Sequence, residues 1–235
     1  VGMVTDRVYA GAIARAQPSY PLVLLSADAG RQPTSYAVLA EELASRGYVV
    51  IGSAPAPPDD STPAPKRNAA ERAQDIRRLM DDMQRHKQAN EGLFARLELE
   101  HVALMGQGLG AVASLNECRD DARCAAVVVL GGDTPPAIGK PVVAIRGSGD
   151  GGKPPAGVTV VHVRGLRHLG FTDDAVLFEP FHDILRFLHL EIRGRRGLEI
   201  AGSYIRAFLD ANLRRVPAPL LTQSPPPYPE VRVEQ

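Results

Sequence analysis

The residues with the most chemical promise lie in HVALMGQGLGA, His101 to Ala111. An apolar run ends at Met105, a glycine-rich corner follows, and a helical pattern opens at once. Strand, Gly-x-nucleophile-x-Gly, helix is the layout of a nucleophile elbow. Its tight turn lifts the central side chain above the sheet edge for attack on an acyl carbon. The flanking glycines are Gly106 and Gly110, and the central position is Gly108, which carries no oxygen, sulfur or carboxylate. An elbow nucleophile ordinarily sits in strained backbone costing about 1–3 kcal/mol, and glycine adopts that geometry freely. The corner therefore reads as one kept for its shape after the attacking group has gone. The same glycines also read as a dinucleotide fingerprint, with Asp133 ending the next strand where a ribose contact would stand. That pattern fits less well: its third glycine comes one residue early, and the unit does not open a βαβ repeat. Ser114 lies six residues beyond Gly108, about 240° around a helix, and cannot take over the attack.

The elements that position this corner follow from periodicity. Short apolar runs alternate with amphipathic stretches, the pattern of an α/β domain with a parallel sheet. Strands are expected over Leu22 to Leu25, Tyr48 to Gly52, His101 to Met105, Ala125 to Leu130, Pro141 to Ile145 and Val158 to Val163. Their runs do not alternate, as expected for strands buried on both faces. Tyr36, Leu39, Ala40 and Leu43 form the stripe of a first helix, and Gly47 falls where a left-handed stop belongs. Ala73, Ile76, Met80 and Met83 mark a second helix over Asn68 to Gln88. A third runs from Gly108 to Cys118 and a fourth from Leu198 to Leu213. Two proline-dense segments, Ala54 to Lys66 and Val216 to Glu230, read as irregular. The expected organisation is a single domain over residues 1–215 with a C-terminal tail over 216–235.

At this level the chain resembles a known family. YPLVLLSADAGRQPTSYAVLAEELASRGYVVIGSAP is similar to the opening strand–helix–strand of the platelet-activating-factor acetylhydrolases and the dienelactone-hydrolase-like and cutinase-like esterases. RAQDIRRLMDDM resembles their long helix before the elbow, PVVAIRGSGDGGKPP the strand and loop presenting the acid, VRGLRHLGFTD the histidine loop, and IAGSYIRAFLDANL the last helix. The resemblance implies an α/β-hydrolase fold, a mostly parallel sheet with helices on both faces and no separate cap domain. It places the nucleophile position on Gly108, the histidine on His168 and the acid on Asp150, with Asp133 as the alternative acid. The implied pocket and oxyanion region comprises Ser26, Ala27, Asp28, Gln107 and Leu109. Two departures stand out. Gln107 occupies the place of the histidine usual before the serine. The oxyanion loop reads Ser26-Ala27-Asp28-Ala29-Gly30, and its carboxylate would repel the negative charge that backbone N–H groups normally stabilise there.

Composition narrows the partners. The 27 basic and 27 acidic side chains cancel, which argues against nucleic acid and a basic membrane-surface patch. No run reaches the roughly 18–20 apolar residues of a spanning helix. Cys118 and Cys124 flank Arg-Asp-Asp-Ala-Arg and form either a disulfide, favouring an exported protein, or two buried thiols, in keeping with a cytoplasmic one. The chain opens on Val1, which fits the trimming of an upstream piece. Metal-binding spacing is absent, so neither metal nor other cofactor is expected. The function expected is a pseudo-hydrolase, a non-catalytic binding or structural protein, as among the similar N-myc-downstream-regulated folds that lack the serine. Its ligand would be a small ester or lipid-like molecule, or its partner a protein. An alternative is residual ester hydrolysis by water activated by His168 and Asp150 in the space left at Gly108. A nucleotide-binding protein is the weaker alternative.

Overall fold

Strands built from unbroken Val, Leu and Ile runs can be stable only if both of their faces are covered, and here both are. The computed structural model describes residues 19–53, 68–147, 153–179 and 192–235. The proline-dense loop from Ala54 to Lys66 and Asp150 lie outside the described residues. The strands are β1 (Tyr20–Ser26), β2 (Val49–Ser53), β3 (Leu97–Gln107), β4 (Cys124–Leu130), β5 (Val142–Gly147), β6 (Val158–Val163) and β7 (Val231–Glu234). They form one sheet in the order β2-β1-β3-β4-β5-β6-β7. The pairings are parallel from β2 through β6, and β7 runs antiparallel to β6.

The helices are α1 (Ala37–Ser45), α2 (Ala69–Gln88), α3 (Leu109–Asp120), α4 (Asp174–Leu177) and α5 (Gly194–Leu213). Successive strand side chains point to opposite faces, and this divides the core in two. Val23, Leu25, Met105, Val128, Ile145 and Val161 pack under α1 and α5. Leu22, Leu24, Leu104, Val127, Ala144 and Val160 pack under α2 and α3. The expected α/β architecture, a mostly parallel sheet with helices on both faces, is thus the observed one. Gly47, at φ 83°, stands directly after the first helix as expected. Asn68 and Glu71 close a reciprocal capping box at the start of α2, satisfying two otherwise orphaned N–H groups.

Three elements differ from the sequence-based expectation. β3 begins at Leu97, ahead of His101, because Leu97 and Leu99 are buried while Glu98 is half-buried and Glu100 exposed, an alternating edge-like start rather than a buried run. α5 begins at Gly194, through a Gly-Arg-Arg-Gly stretch whose two glycines disfavour a helix. Close packing explains the glycine, because a Cβ at Gly194 would stand 1.9 Å from the Ala175 carbonyl oxygen of α4. Finally, the segment read as a tail returns to the sheet. Val231 to Glu234 pair with Val160 to Val163, Tyr228 Oη donates to Ser203 Oγ at 3.1 Å, and Arg196 pairs with Glu230 at 3.1 Å.

Cys118 and Cys124 are joined in a disulfide that ties the end of α3 to the start of β4, so of the two sequence readings the bonded one is observed. Among the described residues, no helix is long and apolar enough to cross a membrane.

Candidate functional site

The carboxyl ends of β1 and β3, the N-terminus of α3 and the turn after β6 converge on Gly108. Its backbone, at φ 51° and ψ −120°, lies in the left-handed half of conformational space, so the elbow keeps its sharp geometry as the N-cap of α3. The flanking glycines are fixed by packing alone. A Cβ at Gly106 would lie 2.5 Å from the backbone of Gly110, and one at Gly110 would lie 2.1 Å from the Ser26 carbonyl oxygen. The first turn of α3 therefore sits hard against β1 and β3. Ser26 is the last residue of β1, buried and in register with Gly106, and Ala27 is buried next to it.

Asp28 occupies the space above the elbow. A Cβ at Gly108 would fall 1.9 Å from Asp28 Oδ1 and 2.4 Å from its Cγ. Oδ1 accepts the Leu109 N–H at 3.1 Å and the Ala29 N–H at 2.7 Å. Oδ2 lies 2.8 Å from His168 Nε2. One carboxylate oxygen thus takes a backbone donor from the start of α3 and another from its own loop, and the other oxygen meets the imidazole. Asp28 is largely buried, its side chain 18% exposed, whereas His168 is 56% exposed.

Gln107 supports this constellation from beneath. Buried in the last residue of β3, it accepts from Tyr36 Oη at 2.6 Å and donates to the His168 carbonyl oxygen at 2.6 Å. Tyr36 Oη in turn accepts the Asp28 N–H at 3.3 Å. Burial holds the Tyr36 hydroxyl above its ordinary pKa of 10.0, which keeps its proton available for Gln107. Arg72, from α2, donates to the Ala27 carbonyl at 2.6 Å, and Arg31 pairs with Asp174 at 2.5 Å. Asp173 accepts the N–H groups of Ala37 and Val38, each at 3.1 Å, capping the start of α1. The loop after β1 is therefore stapled to both α2 and the turn after β6.

Of the residues expected at the site, Gly108, His168, Asp28, Gln107 and Leu109 come together. Asp133 is exposed in the turn after β4, and among the described residues the carboxylate partner of His168 is Asp28. Gly131 lies on the other side of the ring, where its missing Cβ would stand 3.9 Å from His168 Nδ1. Tyr36, Arg72 and Asp173 were not singled out by the sequence for the site. Tyr36 offers the one usable signal: a tyrosine on a buried apolar stripe needs a partner for its hydroxyl. Ser114 is fully buried within α3, away from any attacking role. Among the described residues, no group of three or more His, Cys, Asp or Glu side chains is placed to hold a metal ion.

The arrangement brings the Asp28 carboxyl group against the glycine corner, bonded to the Leu109 and Ala29 N–H groups and to the imidazole of His168. No family model and no curated protein matches the sequence. Among solved structures, a ferulic acid esterase from Streptomyces cinnamoneus is similar, at 23% sequence identity and a TM-score of 0.74, with 94% of this chain and 75% of that chain covered. With its six parallel strands, its antiparallel edge and its helices on both faces, the chain has the α/β-hydrolase fold.

Proposed function

We propose that this chain is a non-catalytic relative of the α/β-hydrolase esterases, a pseudo-hydrolase that serves in binding or in a structural role. The observation that carries this reading is the Asp28 carboxylate, which fills the volume a Gly108 side chain would need and bonds to the Leu109 N–H. Acyl transfer requires that donor for a developing oxyanion, a stabilisation of about 3–4 kcal/mol per donor. A fixed carboxylate there supplies repulsion instead. Water activated by His168 would need the same volume, and a nucleotide pyrophosphate would need the same helix N-terminus, so both alternatives are disfavoured. Within the fold, the sequence resemblance is to platelet-activating-factor acetylhydrolase-like esterases, with Gly108 at their serine position and Asp150 or Asp133 at their acid position. The ligand class this suggests is a small ester or lipid-like molecule, and feruloyl esters enter the list through the similar solved structure.

The purified chain, treated with a fluorophosphonate probe and with nitrophenyl acetate and a feruloyl ester, tests this reading. No covalent adduct and no turnover above that of the His168→Ala variant are expected. An adduct, or turnover abolished by His168→Ala, would overturn it.

A further inference from the structure

We propose that Asp28 is an internal carboxylate ligand seated in a receptor that is otherwise intact, and that removing its side chain opens a binding site for a small free carboxylate. The inference rests on the reading of Gly108 as a vacant nucleophile position. Its starting point is how the carboxylate is held: one oxygen takes the Leu109 and Ala29 N–H groups at 3.1 and 2.7 Å, and the other meets His168 Nε2 at 2.8 Å. An ester's product acid, still seated above an elbow, would offer its two oxygens to the same kinds of donor.

The donors are positioned without help from the Asp28 side chain. The Leu109 N–H belongs to the first residue of α3, a position with no intrahelical acceptor. That turn is fixed by the glycine packing of Gly106 and Gly110. Ala29 lies in a turn closed by the Arg31 N–H to the Asp28 carbonyl at 3.1 Å, and Arg31 is itself tied to Asp174. His168 is anchored through its backbone carbonyl by Gln107 at 2.6 Å and sits in a 3₁₀ turn closed by the Gly170 N–H to the Arg167 carbonyl at 2.8 Å. None of these supports passes through the carboxylate. Truncating Asp28 therefore leaves two N–H donors and the imidazole nitrogen of His168 facing a space the size of a carboxylate group, and formate or acetate matches it in charge, in planarity and in the separation of its oxygens. In the native chain the same receptor is self-occupied, so free carboxylates have nowhere to bind there.

The test compares the full chain, Asp28→Ala and Asp28→Ala/His168→Ala in sodium formate or acetate against equal sodium chloride. Thermal unfolding and the amide chemical shifts of Leu109 and Ala29 are recorded. For Asp28→Ala we expect a saturable, carboxylate-specific shift of both amides and a Tm rise of about 3–5 °C at tenfold over the dissociation constant. The native chain should not respond, and the double variant should respond more weakly. Should Asp28→Ala not fold, Asp28→Ser retains an oxygen for the Ala29 N–H while vacating the space beyond it. A folded variant that treats formate and chloride alike overturns the proposal, as does an equal formate response in the native chain. Either result leaves the esterase assay of the native chain, on which the pseudo-hydrolase reading stands, to be judged separately.

Discussion

A serine at position 108 and the observed Asp28 cannot share the same space, because the new Cβ would lie 1.9 Å from Oδ1. Gly108 and Asp28, 80 positions apart in the chain, are therefore coupled by packing. The lack of a side chain at Gly108 leaves room for the Asp28 carboxyl group, which accepts the Leu109 N–H. Gly108→Ser alone should accordingly stay unreactive to fluorophosphonate and lower stability by about 1–3 kcal/mol through overpacking. Combining it with Asp28→Gly should recover part of that loss, and a double-mutant cycle of unfolding free energies should show coupling of about 0.5–3 kcal/mol. Strict additivity would mean that Asp28 swings clear of residue 108 at little cost. The buried chain from Tyr36 through Gln107 to His168 acts at this same scale, since it lets a polar residue at the end of β3 set the height of the imidazole turn.

Among the elements, the corner from α3 to β4 is fastened in several ways that differ in kind. The disulfide closes a short loop, and inside that loop Asp121 and Arg123 pair at 2.6 Å. Asp121 also accepts the Arg123 N–H at 2.8 Å, and Arg123 reaches Asp81 on α2 at 2.8 Å. The Arg123 hydrogen bonds hold the Asp121 carboxyl below its ordinary pKa of 3.8 despite partial burial. A carboxyl whose pKa falls on folding binds its proton more tightly in the unfolded chain, so its contribution is complete above about pH 4 and drains as the pH drops further. Asp121→Asn should therefore lower stability at neutral pH by about 1–2 kcal/mol and lose that deficit progressively below pH 4. Parallel denaturation curves at pH 7 and pH 3 check this, and a deficit unchanged by acid would show that the ion pair contributes nothing. The tight start of α3 at Gly110 and this fastened end together hold the helix whose N-terminus presents Leu109.

At the scale of the whole molecule, the C-terminal segment completes the sheet. β7 covers the edge of β6, Val231 is buried, and Leu220, Leu221, Tyr228 and Val233 pack against the core that α1 and α5 cover. Ending the chain after Arg215 should expose that edge and apolar surface, giving a lower Tm and a tendency to self-associate in size-exclusion chromatography. An unchanged Tm would make the segment an appendage. Most of the architecture is legible in the residues. Runs such as Cys124 to Leu130 suit strands buried on both faces, as in a parallel sheet, and the corner around Gly108 carries its turn in its own glycines. β7 was hidden because four alternating residues behind a proline-dense stretch carry too little pattern to be told from a loop. The sequence by itself determined the order of β1 to β6 with α1, α2, α3 and α5, and the glycine corner at Gly108, because each is written in local periodicity or in residues adjacent in the chain. Only the tertiary structure decided what lies against Gly108 and, among the described residues, which carboxylate meets His168. Those contacts join residues 81 and 140 positions apart, and a side chain's partner across such a distance is set by how the sheet and α3 pack rather than by its neighbours in the chain.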